Sequence, residues 1–208
     1  MCLLDNLLSK TKFKGSFEKF IQKKFYHKIS ANSITILGLI LGLCSALLIW
    51  LSPFYFDNIY ILIASVVFLG ISFFFDTIDG AVARIEDSSP FGGILDLFCD
   101  RTVEVIIIIT IISTDTSLFW PGIFSLGAIV LCITVFLAIG AAVNEEKLKR
   151  SEKIIYYARG IMERGETFLF LVVLILLPIA RLIILWLFAF LVFITAIQRL
   201  KVGYDLFR

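Results

Sequence analysis

The sequence predicts an all-α integral membrane protein in which six transmembrane helices follow an amino-terminal amphipathic helix at the membrane interface. Three observations support this prediction: the composition, the series of long apolar stretches and the placement of the basic residues. Of the 208 residues, 60% are hydrophobic and only 17% are charged. A soluble domain of this length could not bury so much apolar surface, so the bilayer is expected to be the main solvent of the chain.

Residues 1–30 form a basic juxtamembrane segment ahead of the first long apolar stretch. Seven lysines lie between residues 10 and 28. Apolar residues are interleaved with them at helical spacing, at Phe13, Phe17, Phe20 and Ile21. This spacing predicts a helix lying on an anionic leaflet. A basic lead-in that is merely solvated is the alternative.

Six apolar stretches are long enough to cross a hydrocarbon core of about 30 Å, which needs about 20 helical residues. They lie near residues 33–51, 59–78, 93–113, 119–143, 160–178 and 181–199. The last two belong to one apolar run, which we divide between Pro178 and Arg181. Proline interrupts helical hydrogen bonding, and arginine prefers an interface. No second domain is evident, so residues 1–208 are expected to form a single membrane domain.

The basic residues predict the orientation of the chain. With both termini in the cytoplasm, the inner segments hold the amino-terminal lysines, the basic residues from Lys147 to Arg164 and the basic carboxyl-terminal tail. The outer loops then hold only Arg181 among the cations. This positive-inside distribution predicts a protein of the cytoplasmic (inner) membrane. Nothing in the charge pattern indicates nucleic acid binding.

Four aspartates gather at the predicted cytoplasmic ends of the second and third spans. Asp76 and Asp79 are three residues apart, and Asp96 and Asp100 are four apart. Each pair therefore shares one helical face, and the short loop of residues 85–91 can bring the two faces together. Because an intramembrane carboxylate is costly, such a group marks a functional site facing the cytoplasm.

The chemistry of this group favours divalent metal ions. Four converging carboxylates repel one another in a low-dielectric site unless protons or cations neutralise them. Oxygen ligands alone favour Mg²⁺ or Mn²⁺ over zinc. Two such ions could bridge a pyrophosphate, activate a nucleophile and stabilise a leaving group. A hydrogen bond to a neighbouring helix would explain one intramembrane aspartate, but not two facing pairs.

Glycine and arginine residues beside the aspartates fit a site for phosphate. Gly80 directly follows Asp79, and Gly92 and Gly93 open the third span. At such positions the backbone can come close to a ligand or to a neighbouring helix. Arg84 lies one turn beyond Gly80 and is suited to forked contact with phosphate oxygens.

These residues resemble a known family signature. The string Asp76-x2-Asp79-Gly80-x2-Ala83-Arg84-x7-Gly92-x3-Asp96-x3-Asp100 resembles that of the CDP-alcohol phosphatidyltransferase family, with eight fixed positions in agreement. The family often has eight residues between the arginine and the glycine, whereas this chain has seven. Because the missing residue lies in the loop, we expect it to alter the contacts to the donor phosphates and not the geometry of the aspartates. Residues 31–38 also resemble the family's first-helix motif, with alanine where proline is common.

The resemblance implies a role for each matching residue. The four aspartates would hold two metal ions, and Asp100 would also be the general base that deprotonates the acceptor hydroxyl. Gly80 would leave room for the cytidine. Other residues would line the donor pocket: Asn32 and Thr35 near the nucleotide, and Arg84 and Ser89 near the phosphates.

The resemblance also implies an activity. A phospho-alcohol group, phosphatidyl in the main reading, would pass from a CDP-linked donor such as CDP-diacylglycerol to an acceptor alcohol, with release of CMP, in phospholipid biosynthesis. Members of the family are typically homodimers. A soluble CDP-alcohol donor with a lipid acceptor is the alternative. A cation transporter, a different class, would need mid-membrane carboxylates and often inverted repeats, and the sequence shows neither.

The start of the fifth span predicts the character of the acceptor. Arg159, Glu163 and Glu166 recur at helical spacing, and Arg164 lies among them. The six cations from Lys147 to Arg164 would gather an anionic substrate. We therefore expect a phosphorylated acceptor, such as the inositol phosphate or glycerol phosphate used within the family. Arg159 or Arg164 would bind it, with the two glutamates holding these side chains. An internal Arg–Glu lattice is the alternative.

Overall fold

The computed structural model describes residues 30–55, 59–85, 89–142 and 160–208, except the side chains of residues 55, 81 and 83–85. These residues form six α-helices and no strand, so the all-α prediction is confirmed. The helices are α1 (Ala31–Leu51), α2 (Ile59–Ile85), α3 (Pro90–Ser113), α4 (Phe119–Ala142), α5 (Arg164–Leu176) and α6 (Arg181–Phe207). The predicted amino-terminal interfacial helix lies outside the described residues.

Four helical stretches are long and apolar enough to cross a bilayer: Ala31–Phe54, Ile59–Gly80, Thr116–Ala142 and Pro178–Phe207. The chain is therefore an integral membrane protein. The helices α3 and α5 occupy the positions of the predicted third and fifth spans without meeting these criteria. α3 carries four charged residues between Asp96 and Glu104, and α5 has only 13 residues. Six crossings of the membrane thus stay a prediction.

Two helices run past the predicted apolar spans. α2 continues to Ile85, so the first aspartate pair lies within a helix rather than at its end. α6 continues to Phe207, eight residues beyond the predicted boundary at 199. Hydropathy marks only the part of a helix that faces lipid, and both helices continue into polar sequence.

The chain ahead of α5 corrects the prediction of a helix from residue 160. Gly160 to Glu163 is not helical, and Glu163 has extended backbone at the N-cap position. Side chains of α6 satisfy this backbone: Gln198 Oε1 accepts from Ile161 N (3.1 Å) and Thr195 Oγ1 accepts from Met162 N (3.0 Å). The helical face expected to join Glu163 with Glu166 therefore does not form.

The helices enclose one main apolar core. α1 packs against α2 and α3, α4 packs against α6, and α5 lies among α2, α3 and α6. Ile107 and Ile111 of α3, Leu174 of α5 and Phe188 of α6 are fully buried where these helices meet. Large apolar side chains such as Trp186 stay exposed on the outside, as expected of a surface in contact with lipid.

Small residues allow close approach between helices. Ser72 Oγ donates to Gly38 O (2.7 Å), which ties α2 to α1. A Cβ added at Gly42 would collide with Val103 of α3, and one added at Gly122 of α4 would collide with Ile112. Glycine at these positions lets α1 and α4 pack directly on α3.

Arg181, the first residue of α6, contacts the carboxyl ends of α5 and α3. The sequence predicts an interfacial arginine here, but the side chain is only 6% exposed. Its Nε donates to Leu174 O (2.9 Å) and its Nη1 donates to Thr114 Oγ1 (3.1 Å). The guanidinium thus caps the carboxyl end of α5, because the 3-10 turn that begins at Pro178 leaves those carbonyls without helical donors.

Candidate active site

Three of the four predicted aspartates converge. Asp76 lies on α2, and Asp96 and Asp100 lie one turn apart on α3. One carboxylate oxygen from each lies within 4.8 Å of the other two. The helical spacing within each pair and the short connection between α2 and α3 bring these side chains together, as the sequence predicts.

The fourth aspartate is held slightly apart by α1. Asp79 is 4% exposed, and its Oδ2 accepts a hydrogen bond from Thr35 Oγ1 (2.5 Å). It does not belong to the group of three that could share one ion, but it lines the same cavity as Asp76 and Asp100. Thr35, predicted near the nucleotide, therefore contacts a predicted metal ligand directly.

Arg164, the first residue of α5, reaches into the aspartate group. Its Nη2 forms ion pairs with Asp76 Oδ1 and Asp100 Oδ1 and lies 3.9 Å from Asp96 Oδ1. The guanidinium lies over the Phe73 ring, with 5.9 Å between its carbon and the ring centroid. The sequence predicts Arg164 beside the acceptor, whereas the structure places its guanidinium among the predicted metal ligands themselves.

Asp76, Asp79 and Asp100 line a cavity of about 70 Å³ between α1, α2, α3 and α5. A second cavity of about 120 Å³ lies between α3, α4, α5 and α6. Four side chains line both: Arg101, Glu104, Arg164 and Thr167. These residues form a shared wall, so a molecule in the second cavity would lie beside the aspartates.

The second cavity contains two arginines that the sequence analysis did not single out. Arg101 pairs with Glu104, and Arg199 of α6 donates to Cys132 O (3.3 Å) and lies over the Phe136 ring. The Nε atoms of both arginines are buried and have no hydrogen-bond partner among the described residues. A buried donor without a partner costs about 1–3 kcal/mol, which an anionic ligand would recover.

The structure describes all the residues predicted to bind the CDP-linked donor except the side chain of Arg84. Ser89 is the N-cap of α3, and its Oγ accepts from Gly92 N (3.0 Å). A Cβ added at Gly92 would lie 3.2 Å from both Ser89 Oγ and Asn32 Oδ1, so these residues meet where α1 approaches the start of α3. Gly80 lies within α2 just after Asp79. The Arg84 side chain and Arg159 lie outside the described part of the chain.

The side chains present fit a divalent metal. The candidate metal ligands are carboxylate oxygens alone, which suit a hard cation. Asp96 Oδ1 is buried and has no hydrogen-bond partner within the described ranges. A single guanidinium balances only part of the charge of the three carboxylates around it. The group could therefore hold a metal ion.

The sequence and the fold were each compared with known proteins. The sequence matches the family model described as CDP-alcohol phosphatidyltransferase over residues 28–196. The fold is similar to that of the crystal structure of Mycobacterium tuberculosis phosphatidylinositol phosphate synthase (PgsA1) with CDP-DAG bound. The TM-score is 0.70 at 20% sequence identity, covering 90% of this chain and 92% of that one. A comparison with curated protein sequences found no match.

Proposed function

Because this chain belongs to the CDP-alcohol phosphatidyltransferase family, we propose that it transfers a phosphatidyl group from CDP-diacylglycerol to a phosphorylated alcohol and releases CMP. The observation that carries the proposal is the aspartate group beside an arginine-lined cavity. The aspartates suit a metal-bound pyrophosphate, and the arginines suit a second, anionic substrate. The synthase of similar fold, crystallised with CDP-DAG, supports the choice of donor.

The donor would bind at the aspartates. Asp76, Asp79, Asp96 and Asp100 would hold two divalent ions, Mg²⁺ or Mn²⁺, which when bound neutralise charge on the pyrophosphate and on the departing CMP. Thr35 fixes Asp79 for this task through its hydrogen bond. The remaining donor contacts are proposed for Asn32, Gly80, Arg84 and Ser89, around the cytidine and its phosphates.

The acceptor would bind in the second cavity. Arg164 and Arg199 line it, and the buried Nε atoms of Arg101 and Arg199 lack protein partners among the described residues. Three arginines that line one small cavity favour a phosphate group over an uncharged alcohol. Arg159 is proposed to contribute from the segment outside the described residues.

The reaction follows from the wall that the two cavities share. An acceptor phosphate held by Arg199 would direct a hydroxyl across Arg101 and Glu104 toward Asp100. The Asp100 carboxylate would take the hydroxyl proton as the acceptor oxygen bonds to the phosphorus remote from cytidine. The bond from that phosphorus to the bridging oxygen would then break, and CMP would leave with the electron pair.

The setting of the enzyme completes the proposal. The distribution of basic residues supports an orientation with both termini and the aspartate site on the cytoplasmic side. CMP and a phosphorylated alcohol are both water-soluble, so a site opening to the cytoplasm would suit them. Family membership supports a homodimer.

Mass spectrometry of the products tests this function. Purified enzyme would receive CDP-diacylglycerol, Mg²⁺ and either a phosphorylated alcohol (inositol phosphate or glycerol phosphate) or its uncharged counterpart. We expect a phosphorylated phospholipid and one CMP for each phosphate-bearing acceptor consumed. Chelation should stop the reaction, and Mg²⁺ or Mn²⁺ should restore it.

Three results would contradict the proposal. Efficient turnover of the uncharged alcohols, with the phosphorylated ones inert, would remove the anionic acceptor. Reaction of diacylglycerol with a soluble CDP-alcohol, while CDP-diacylglycerol stays intact, would exchange the roles of donor and acceptor. Full activity in excess chelator after dialysis would exclude the metal-dependent mechanism.

A further inference from the structure

Arg164 uses the carboxylates that a metal ion would need. Its Nη2 pairs with Asp76 Oδ1 and Asp100 Oδ1, and these two residues with Asp96 form the group that could hold a cation. A hard divalent ion binds carboxylate oxygens at about 2.0–2.6 Å. A guanidinium in contact with the same carboxylates would be repelled by that ion and would block its approach. The two cations therefore compete.

The Arg164 side chain could also point into the second cavity. Arg164 lines the second cavity as well as the aspartate cavity, and it begins α5, so its long side chain can change direction without moving the helix. The second cavity already holds the guanidiniums of Arg101 and Arg199. A third positive group would be repelled there in the absence of an anion and attracted in its presence.

From this geometry we propose that Arg164 is an internal counter-ion. In the metal-free enzyme it pairs with Asp76 and Asp100 and offsets part of their charge. Divalent metal displaces it toward the second cavity, where it completes a site for a phosphate group. The proposal rests on the metal and acceptor sites of the proposed function and adds a coupling between them.

The coupling has a definite sign. Metal binding delivers a guanidinium to the second cavity and so strengthens phosphate binding there. By linkage, phosphate must strengthen metal binding by the same factor. The ring of Phe73, which stacks on Phe168 at 4.6 Å between centroids, supports the guanidinium on its aspartate side. Without Arg164 the metal meets no competitor, and the link between the two ligands is lost.

Calorimetric titration of the purified full chain with Mg²⁺ tests this without any turnover. Arg164→Gln is expected to bind Mg²⁺ about tenfold more tightly than the wild type, within the roughly 5–150-fold range usual for coupled sites. Inorganic phosphate, after correction for its own binding of Mg²⁺, is expected to tighten Mg²⁺ binding to the wild type. It should have no such effect on Arg164→Gln.

Arg199→Gln is the matched control. Arg199 lines the second cavity and contacts Cys132 and Phe136 rather than the aspartates. Its replacement is expected to change Mg²⁺ affinity much less than Arg164→Gln does without phosphate, and to weaken the effect of phosphate. Equal tightening of Mg²⁺ binding in both variants would mean that general loss of positive charge, not competition at the aspartates, is responsible, and it would overturn the proposal.

Two further results would overturn it. The first is Mg²⁺ affinity in Arg164→Gln that equals or falls below that of the wild type. The second needs only wild-type protein and applies even if the variant does not fold: independent binding of Mg²⁺ and phosphate. Failure of the proposed reaction would give a different result. Wild-type protein that shows this linkage but releases no CMP would support the counter-ion role of Arg164 and contradict the proposed transferase activity.

Discussion

Thr35 Oγ1 lies 2.5 Å from Asp79 Oδ2, so the first helix holds a carboxylate that belongs to the aspartate motif of the second. Both side chains are buried, with 8% and 4% of their surface exposed. A charged acceptor in such surroundings depends on its hydrogen bonds. The first-helix motif is therefore connected to the aspartate site through this pair.

Thr35→Val should separate positioning from nucleotide binding. Valine keeps the shape of threonine but leaves Asp79 Oδ2 without its donor, at a cost of about 1–3 kcal/mol. We expect weaker metal binding and a kcat lower by about ten- to a hundredfold, with recovery in Thr35→Ser. Metal titration and steady-state kinetics would measure both. A higher KM for the CDP-donor with unchanged metal affinity would show that Thr35 acts only on the nucleotide.

Asp100→Asn should abolish turnover while the CDP-donor still binds. The side chain lines the aspartate cavity and pairs with Arg164, which lines both cavities, and the acceptor hydroxyl is proposed to arrive there. A general base usually contributes about 10²–10⁴-fold to the rate. Single-turnover kinetics and donor binding would test this. A variant that retains more than about a tenth of the wild-type rate would contradict the assignment of Asp100 as the base.

Arg199→Gln should raise the KM for a phosphorylated acceptor much more than the KM for the CDP-donor. A guanidinium–phosphate contact of about 1.5–3 kcal/mol corresponds to a change of roughly ten- to a hundredfold. Lys201→Gln, which removes an exposed charge from the same end of α6, is the matched control and should change neither value appreciably. Equal effects of Arg199→Gln on both substrates would indicate a structural role instead.

Arg181→Gln should lower stability without changing the chemistry. The substitution removes donors to Leu174 O and Thr114 Oγ1 at the end of α5, with an expected loss of about 1–3 kcal/mol. Thermal unfolding in detergent should begin several degrees lower, and kcat per folded molecule should stay the same. Arg208→Gln, in the exposed tail, serves as the comparison. Equal stability of the two variants would contradict a capping role for Arg181.

The sequence predicted the parts of the molecule that depend on local spacing. The all-α class follows from the apolar stretches, and Asp76, Asp96 and Asp100 converge because helical periodicity and a short connection require it. The ends of α2 and α6 were placed too early, since hydropathy does not detect a helix that continues into polar sequence.

Side-chain direction could not be predicted in the same way. Arg164 and Arg181 are long, and the partners that determine where each guanidinium lies come from other helices. The sequence predicts Arg199 in a cytoplasmic tail, but α6 continues past it and its side chain turns inward to Cys132. The available signal in the sequence is the position of this arginine at the inner end of an apolar span.

The short length of α5 has a consequence for the membrane itself. Thirteen helical residues extend about 20 Å, roughly 10 Å less than the hydrocarbon core of a typical bilayer. If α5 crosses the membrane as predicted, lipid beside it is expected to thin to match it, and such mismatch costs a fraction of a kcal/mol for each ångström. The thickness of the host bilayer would then affect the stability of the enzyme, and reconstitution in short-chain lipids should favour the folded state over reconstitution in long-chain lipids.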